Sequence, residues 1–167
     1  MKLENPYKIL CVCLGNICRS PTAEVVLKTI ANQQGLNVVV DSAGTSNYHP
    51  NKAPDSRSQK CALQYGYDLS ALRARQIQLR DFCEFDLILA MDKENLSDIL
   101  ALQEQAKQRY GNEEKARVAL MSEYDEQYPK QAVPDPYYGE QKDFERVIHQ
   151  CESSSLAWVN YLKKQLI

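Results

Sequence analysis

Histidine is scarce in this chain of 167 residues, which contains only His49 and His149. Two histidines offer few ligands for a zinc site and few partners for a cysteine–histidine protease dyad. Paired Cys-x-x-Cys motifs with the spacing of zinc ligands are also absent. These absences argue against a metal centre and against a cysteine that depends on a histidine base.

An excess of positive charge is missing as well, because 20 Lys and Arg residues stand against 22 Asp and Glu residues, for a formal net charge of -2. No overall basic field attracts a nucleic-acid backbone, so no nucleic-acid partner is expected. The apolar run 9–14 is too short for export or membrane insertion, and Glu4 and Pro6 interrupt the stretch before it. We therefore expect a cytoplasmic protein whose six cysteines are reduced thiols.

The chain length favours a single domain over 1–167, large enough to fold without a disulfide or metal staple. Short apolar runs predict strands at 9–13, 38–40, 87–91 and 118–121. Helical spacing predicts helices from Ser20 to Gly35, over 55–65, over 92–102 with a solvated extension through 103–115, and at the end of the chain. Continuous apolar strands separated by helices predict a three-layer α/β fold, with a four-stranded parallel sheet and helices on both faces.

Ligands of such sheets bind beyond the carboxyl ends of the strands, which directs attention to the loops after strands one and four. The first loop has a cysteine, five residues, an arginine and a serine, in the sequence Cys13 to Ser20. Gly15 allows a tight turn there, and the start of the following helix can direct N–H groups at an anion. Cys13 is therefore expected to act as a thiolate without a histidine base, with Arg19 clamping a phosphate through its planar fork of donors.

The loop after strand four contains Asp135 between Pro134 and Pro136. A carboxylic acid held on a stiff turn can protonate a departing alcohol and then act as a base toward water. Taken alone, an Asp-Pro pair in a proline-rich loop is typical of an ordinary turn. Its partnership with the cysteine loop makes Asp135 a candidate general acid.

Six segments together resemble the low-molecular-weight protein tyrosine phosphatase family: CLGNICRSPTAE at 13–24, DSAGTS at 41–46, PDSR at 54–57, ARQ at 74–76, FDLILAMD at 85–92 and PDPYYG at 134–139. The resemblance implies Cys13 as nucleophile, Arg19 as phosphate clamp and Asp135 as general acid and base. It also implies hydrolysis of phosphotyrosine through a phosphocysteine, by a monomer that uses no metal or cofactor and acts on tyrosine-phosphorylated proteins.

The resemblance assigns roles to further residues around the loop. Tyr48 and Tyr137 are predicted to flank the cleft, Ser42 is predicted to support the loop, and Cys18 is predicted to capture oxidised Cys13 in a reversible disulfide. The residues predicted to surround the phosphate are Leu14, Gly15, Asn16, Ile17, Cys18 and Ser20.

One position departs from the family pattern. Leu72 stands where relatives place a histidine that supports the strained asparagine of the loop, which predicts a working but less preorganised loop. Three alternatives stay open: a thioredoxin-coupled arsenate reductase, a phosphoarginine phosphatase and a phosphotyrosine-binding module without activity. Leu89 and Ala90, which offer no thiol, argue against the first, and Ile17, where phosphoarginine phosphatases carry threonine, argues against the second.

Overall fold

A four-stranded parallel sheet organises the computed structural model, which describes residues 5–166. The strands are β1 (Tyr7–Cys13), β2 (Val38–Gly44), β3 (Leu87–Ala90) and β4 (Arg117–Leu120). Their order in the sheet is β2-β1-β3-β4, and every neighbouring pair is parallel. The predicted four-stranded parallel sheet is confirmed.

Five α-helices of the described residues connect and cover these strands: α1 (Arg19–Gln33), α2 (Ser56–Gln64), α3 (Asp81–Glu84), α4 (Lys93–Tyr110) and α5 (Gln141–Leu166). A 3-10 turn at Gly111–Glu113 follows α4. Residues of α1, α2 and α5 share one core with the sheet, and residues of α3 and α4 share the core on its other side. The arrangement is the predicted three-layer α/β fold.

Strand β1 shows why both faces of the sheet need covering. Ile9, Cys11 and Cys13 enter the core shared with α1 and α5, while Leu10 and Val12 enter the core shared with α4. Successive side chains of a strand point to opposite faces, so an unbroken apolar run requires a helical layer on each side.

The strand boundaries differ from the sequence predictions by one to four residues, most at β2. Strand β2 continues four residues beyond the predicted end at Val40, because its backbone stays paired with β1 as far as Gly44. The four-residue helix α3 was not predicted, since one turn is too short to show helical periodicity. The last residue of helix α4 is Tyr110, which lies within the predicted extension. The residue that follows the helix is Gly111, and its φ of 57° lies in the left-handed region.

The parallel topology places the ends of three strands at one edge of the sheet. Cys13 ends β1, Asp92 follows β3 and caps α4 by accepting the N–H of Asn95 at 2.7 Å, and the segment after β4 leads to Asp135. Among residues 5–166, no helix has both the length and the apolarity that crossing a bilayer requires.

Candidate active site

The loop between β1 and α1 wraps around the sulfur of Cys13. The backbone N–H of Asn16 donates to Cys13 Sγ at 3.3 Å, and Ser20 Oγ lies 3.0 Å from the same sulfur. Ser20 Oγ accepts a hydrogen bond from Asn16 Nδ2 at 2.8 Å. Its one hydroxyl hydrogen has two acceptors within reach, the sulfur at 3.0 Å and the carbonyl of Ala43 at 3.4 Å, of which the sulfur is the nearer. Both groups therefore stabilise negative charge on Cys13.

Asn16 adopts an unusual conformation, with a φ of 59°, and is almost fully buried. Its side chain bridges two parts of the fold, since Nδ2 donates to Ser20 Oγ and Oδ1 accepts the backbone N–H of Arg75 at 3.0 Å. Asparagine tolerates left-handed geometry better than most residues, but a bend of this kind persists only where its surroundings hold it. The two side-chain bonds provide that restraint.

The guanidinium of Arg19 lies buried beneath the cleft. Its Nη1 donates to Asp92 Oδ2 at 2.6 Å and to the carbonyl of Val133 at 3.2 Å, while Nη2 lies 3.8 Å from Asp135 Oδ2. Burial alone would lower the pKa of Arg19, but the negative charge of Cys13 and the hydrogen bond and charge of Asp92 outweigh it and raise the pKa. Arg19 is therefore a permanent cation at this site.

Asp135 lies at the rim of the same cleft, with about half of its side chain exposed. Its Oδ1 accepts the N–H of Tyr137 at 3.1 Å, which stiffens the turn. The segment is tied to the sheet by buried Val133, whose N–H donates to the carbonyl of Met91 at 2.8 Å. The chain thus brings Cys13 and Asp135, 122 positions apart in the sequence, to one cleft.

The cleft has a volume of about 330 Å³. Its lining includes nine residues that the sequence analysis proposed for the reaction centre, the phosphate loop and the cleft mouth: Cys13, Leu14, Gly15, Ile17, Cys18, Arg19, Tyr48, Asp135 and Tyr137. Tyr48 is largely exposed and Tyr137 about one-third exposed, so both aromatic rings stand at the mouth.

Two further lining residues, His49 and Tyr138, were missed by the sequence analysis. His49 follows Tyr48 directly and lies so close to Gly15 that a Cβ there would meet its Cδ2 at 3.2 Å. The sequence analysis placed Asp92 only at the start of the predicted helix over 92–102. Its place directly after β3, at the same sheet edge as Cys13, is the signal that could have identified it as a site residue.

Ser42 lies below the loop, and its hydroxyl donates to Glu24 Oε1 at 2.7 Å. Glu24 is buried on α1, and burial raises its pKa to about 7, although the hydrogen bond from Ser42 opposes the shift. The hydrogen bond of the Ser42 side chain thus connects β2 to α1, whereas Asn16 and Ser20 belong to the cysteine loop and contact the sulfur of Cys13 directly.

Cys18 is buried at the start of α1. Burial raises the pKa of its thiol to about 12, so this second cysteine of the loop stays protonated at neutral pH. Leu72, which the sequence analysis predicts to weaken the support of the loop, is half-buried. No group of three or more His, Cys, Asp and Glu side chains within residues 5–166 is arranged to hold a metal ion.

Comparison with known proteins decides the family. The sequence model for low molecular weight phosphotyrosine protein phosphatases matches residues 8–166. The chain belongs to this family. It is 44% identical over 145 residues to the human low molecular weight phosphotyrosine protein phosphatase, covering 86% of this chain and 87% of the human one.

Two solved structures extend the comparison within the family's fold. A protein tyrosine phosphatase from Entamoeba histolytica superposes with a TM-score of 0.85 at 36% identity, covering 96% of this chain and 99% of that one. The Drosophila arginine phosphatase gives a TM-score of 0.83 at 29% identity, covering 93% and 98%. This chain is therefore a phosphatase of the low-molecular-weight family, and the substrate has to be argued from its own cleft.

Proposed function

We propose that this phosphatase hydrolyses phosphotyrosine in proteins through a phosphocysteine intermediate on Cys13. One observation supports this most strongly: Cys13 Sγ lies on the floor of a cleft, with an amide N–H and a hydroxyl directed at it and the buried Arg19 guanidinium beside it. Such a group of preorganised donors binds a phosphate and stabilises charge on the oxygens of the transferring phosphoryl group.

The first step transfers the phosphoryl group from the substrate to sulfur. The Cys13 thiolate attacks phosphorus, the bond from phosphorus to the aryl oxygen breaks, and that oxygen leaves with a proton from Asp135. Arg19 and the loop N–H groups hold the equatorial oxygens.

In the second step Asp135 removes a proton from water, the water oxygen attacks phosphorus, and the sulfur–phosphorus bond breaks. Inorganic phosphate leaves and the thiolate is restored.

The walls of the cleft favour an aryl phosphate. Tyr48 and Tyr137 flank the mouth, where aromatic rings pack against the flat ring of a phosphotyrosine. A phosphoserine carries its phosphate on a shorter stem and does not reach the floor from the same backbone position. The apolar side chain of Ile17 in the lining offers no hydrogen bond to a guanidino phosphate.

A substrate panel tests this proposal. Initial rates on matched peptides that carry phosphotyrosine, phosphoserine or phosphoarginine, and reduction of arsenate with thioredoxin, should show turnover only of the phosphotyrosine peptide. Faster release from phosphoarginine would overturn the assignment of substrate and favour the activity named in the Drosophila relative. Activity should persist in a metal chelator.

The nucleophile needs its own test. Rapid quenching during turnover should trap one phosphate per active site on Cys13, and Cys13→Ser should abolish both turnover and the adduct while phosphate still binds. Full activity of Cys13→Ser would rule out a cysteine nucleophile.

We also propose that Cys18 protects Cys13 from irreversible oxidation. Peroxide converts the Cys13 thiolate to a sulfenic acid, and the Cys18 thiol then attacks that sulfur, so that a disulfide forms and water leaves. Mass spectrometry after peroxide treatment should detect the Cys13–Cys18 disulfide, and Cys18→Ser should lose activity irreversibly at the same dose. Recovery of Cys18→Ser with reductant would contradict this role.

A further inference from the structure

The strained loop residue Asn16 is held by a segment far away in the chain. Its Oδ1 accepts the backbone N–H of Arg75 at 3.0 Å, across 59 positions. Through its other side-chain atom, Asn16 contacts Ser20, which in turn contacts the sulfur of Cys13. A series of three hydrogen bonds therefore connects the Arg75 amide to the sulfur of Cys13.

The segment that carries this amide is docked on the end of β2. Gly44 donates its N–H to the carbonyl of Arg75 at 2.8 Å, and Ile77 donates its N–H to the carbonyl of Gly44 at the same distance. These bonds form the isolated parallel bridge between Gly44 and Gln76. A bridge of one residue pair is short, so side-chain contacts must help to hold the segment in register.

The side chain of Arg75 provides those contacts. Nη1 and Nη2 donate to the two oxygens of Asp81 at 3.0 and 3.1 Å, and Nη2 also donates to Asp41 at 3.2 Å. Asp81 is buried and accepts the N–H of Gln78 at 2.7 Å as well. This two-pronged ion pair joins the two ends of residues 75–81, and its geometry depends on the planar guanidinium.

Leu72 makes this contact more important in this chain. The resemblance implies a histidine at this position as a support for the asparagine, whereas a leucine side chain offers no hydrogen bond. In the described structure the side chain of Asn16 is bonded to Ser20 and to the Arg75 amide.

We propose that the Arg75–Asp81 ion pair is a positioning element of the active site, which sets the register of residues 74–77 so that the Arg75 amide holds Asn16 in its left-handed conformation. This inference rests on the proposed function, because it concerns the loop that activates Cys13. Arg75 and Asp81 do not contact the substrate. They act through Asn16 and Ser20 on the groups that bind the phosphoryl oxygens.

Three variants test the proposal: Arg75→Met, Arg75→Lys and Asp81→Asn. Lysine keeps the charge but cannot make the two-pronged contact. We expect kcat on an aryl phosphate to fall about 10-fold in each, within the range typical for misplaced supporting groups. The inhibition constant of vanadate, which takes up a trigonal-bipyramidal form on the thiolate, should rise by a similar factor, and that of inorganic phosphate by much less.

Two control variants separate positioning from mere stability. Arg73→Met removes an exposed guanidinium of the same segment that contacts only carbonyls of neighbouring residues, and it should leave kcat unchanged. Arg117→Met removes hydrogen bonds to Tyr124 and Tyr161 on the far side of the fold. It should lower the melting temperature while kcat per folded molecule stays the same.

The two proposals can fail separately. If the wild type forms no phosphocysteine, the proposed function fails, whatever the variants do. If the wild type forms the adduct and the folded Arg75→Lys and Asp81→Asn proteins match it in kcat and in vanadate inhibition, the positioning role is wrong. Lower melting temperatures with unchanged kinetics would contradict it equally.

Discussion

Arg19 donates from Nη1 to Asp92 Oδ2 at 2.6 Å, which fixes the guanidinium from the β3 side of the cleft. The same nitrogen also donates to the carbonyl of Val133, so both of its hydrogens are engaged by the protein. Nη2 and Nε retain donors for two oxygens of a phosphate, in the side-on geometry that suits a planar guanidinium. Asp92 therefore selects which edge of Arg19 faces the substrate.

Asp92→Asn tests this orientation. Asparagine caps helices as well as aspartate does, so the start of α4 should survive, while the melting temperature should fall because the buried Arg19 loses its ion-pair partner. We expect kcat on aryl phosphates to fall about 10- to 100-fold, because a guanidinium free to turn is no longer preorganised for the transition state. Steady-state kinetics and a thermal melt measure both effects, and an unchanged kcat would show that Asp92 serves only as a cap.

Asp135→Asn should separate substrates by leaving group. Without a proton donor, aryl phosphates with poor leaving groups should slow by about 10²- to 10⁴-fold, whereas those with good leaving groups need less help. A plot of log kcat/KM against the leaving-group pKa measures the difference in slope, because kcat/KM reports the transfer to sulfur and not the later hydrolysis in which Asp135 acts as the base. Glu140→Gln, which removes an exposed carboxylate five positions away, is the control. Equal losses for all leaving groups would exclude an acid role for Asp135.

Gly44→Ala should disturb the cysteine loop by contact. A Cβ at this position would lie 2.7 Å from the carbonyl oxygen of Leu14, and backbone cannot yield as a flexible side chain does. We expect kcat to fall at least about 10-fold, as for other small displacements of a reacting group. Gly35→Ala is the matched control, since its φ of 72° costs stability while open space surrounds the new methyl group. Its kcat should stay unchanged, and equal kinetics for both variants would remove the steric argument.

Glu24 should make the stability of the fold depend on pH. Its pKa is raised by burial from an ordinary 4.5 to about 7, so the folded state prefers the protonated acid. The contribution of Glu24 to the free energy of unfolding is therefore fully present below pH 4.5 and is lost as pH rises through about 7. Glu24→Gln has no proton to lose, so it should exceed the wild type in unfolding free energy by up to about 3 kcal/mol at pH 8 and equal it near pH 4.5.

Urea titrations at the two pH values measure this difference. Glu126→Gln, at an exposed position, should show no such pH dependence. A Glu24→Gln protein that is no more stable than the wild type at pH 8 would mean that the carboxylate is accommodated in the fold without cost.

Leu72→His tests whether the loop lacks support. The Asn16 side chain is bonded through both its nitrogen and its oxygen, to Ser20 and to the Arg75 amide. An added imidazole therefore has little strain left to relieve, and kcat and vanadate inhibition should stay within a factor of about three of the wild type. A larger gain would mean that the loop is less preorganised than these contacts indicate.

The order of strands and helices followed from local patterns. The apolar runs at 9–13 and 87–91 predicted buried strands because such runs are read within a few residues, and the parallel sheet followed from the helices between them. Helix α3 escaped prediction since a single turn leaves no period to detect. Strand β2 was predicted too short because backbone pairing with β1, not side-chain pattern, carries it to Gly44.

The chemistry of the cysteine loop is local in the same sense. Cys13, Arg19 and Ser20 lie within eight positions, so their spacing at a strand-to-helix junction already predicted an anion site. Contacts between distant segments have no such signature. Nothing in the sequence near Asn16 indicates that the amide of Arg75 accounts for its restraint, or that Asp92 orients Arg19.

By itself, then, the amino-acid sequence determined the layered architecture, the family and the residue types of the phosphate loop, because periodicity and motif spacing act over short stretches of chain. Tertiary structure alone decided which edge of the Arg19 guanidinium faces the substrate and which backbone amide holds Asn16. It also decided that the carboxyl of Glu24 takes up a proton near neutral pH. These properties depend on packing between segments 18 to 73 positions apart and on exclusion of water, and neither is encoded in any one local stretch.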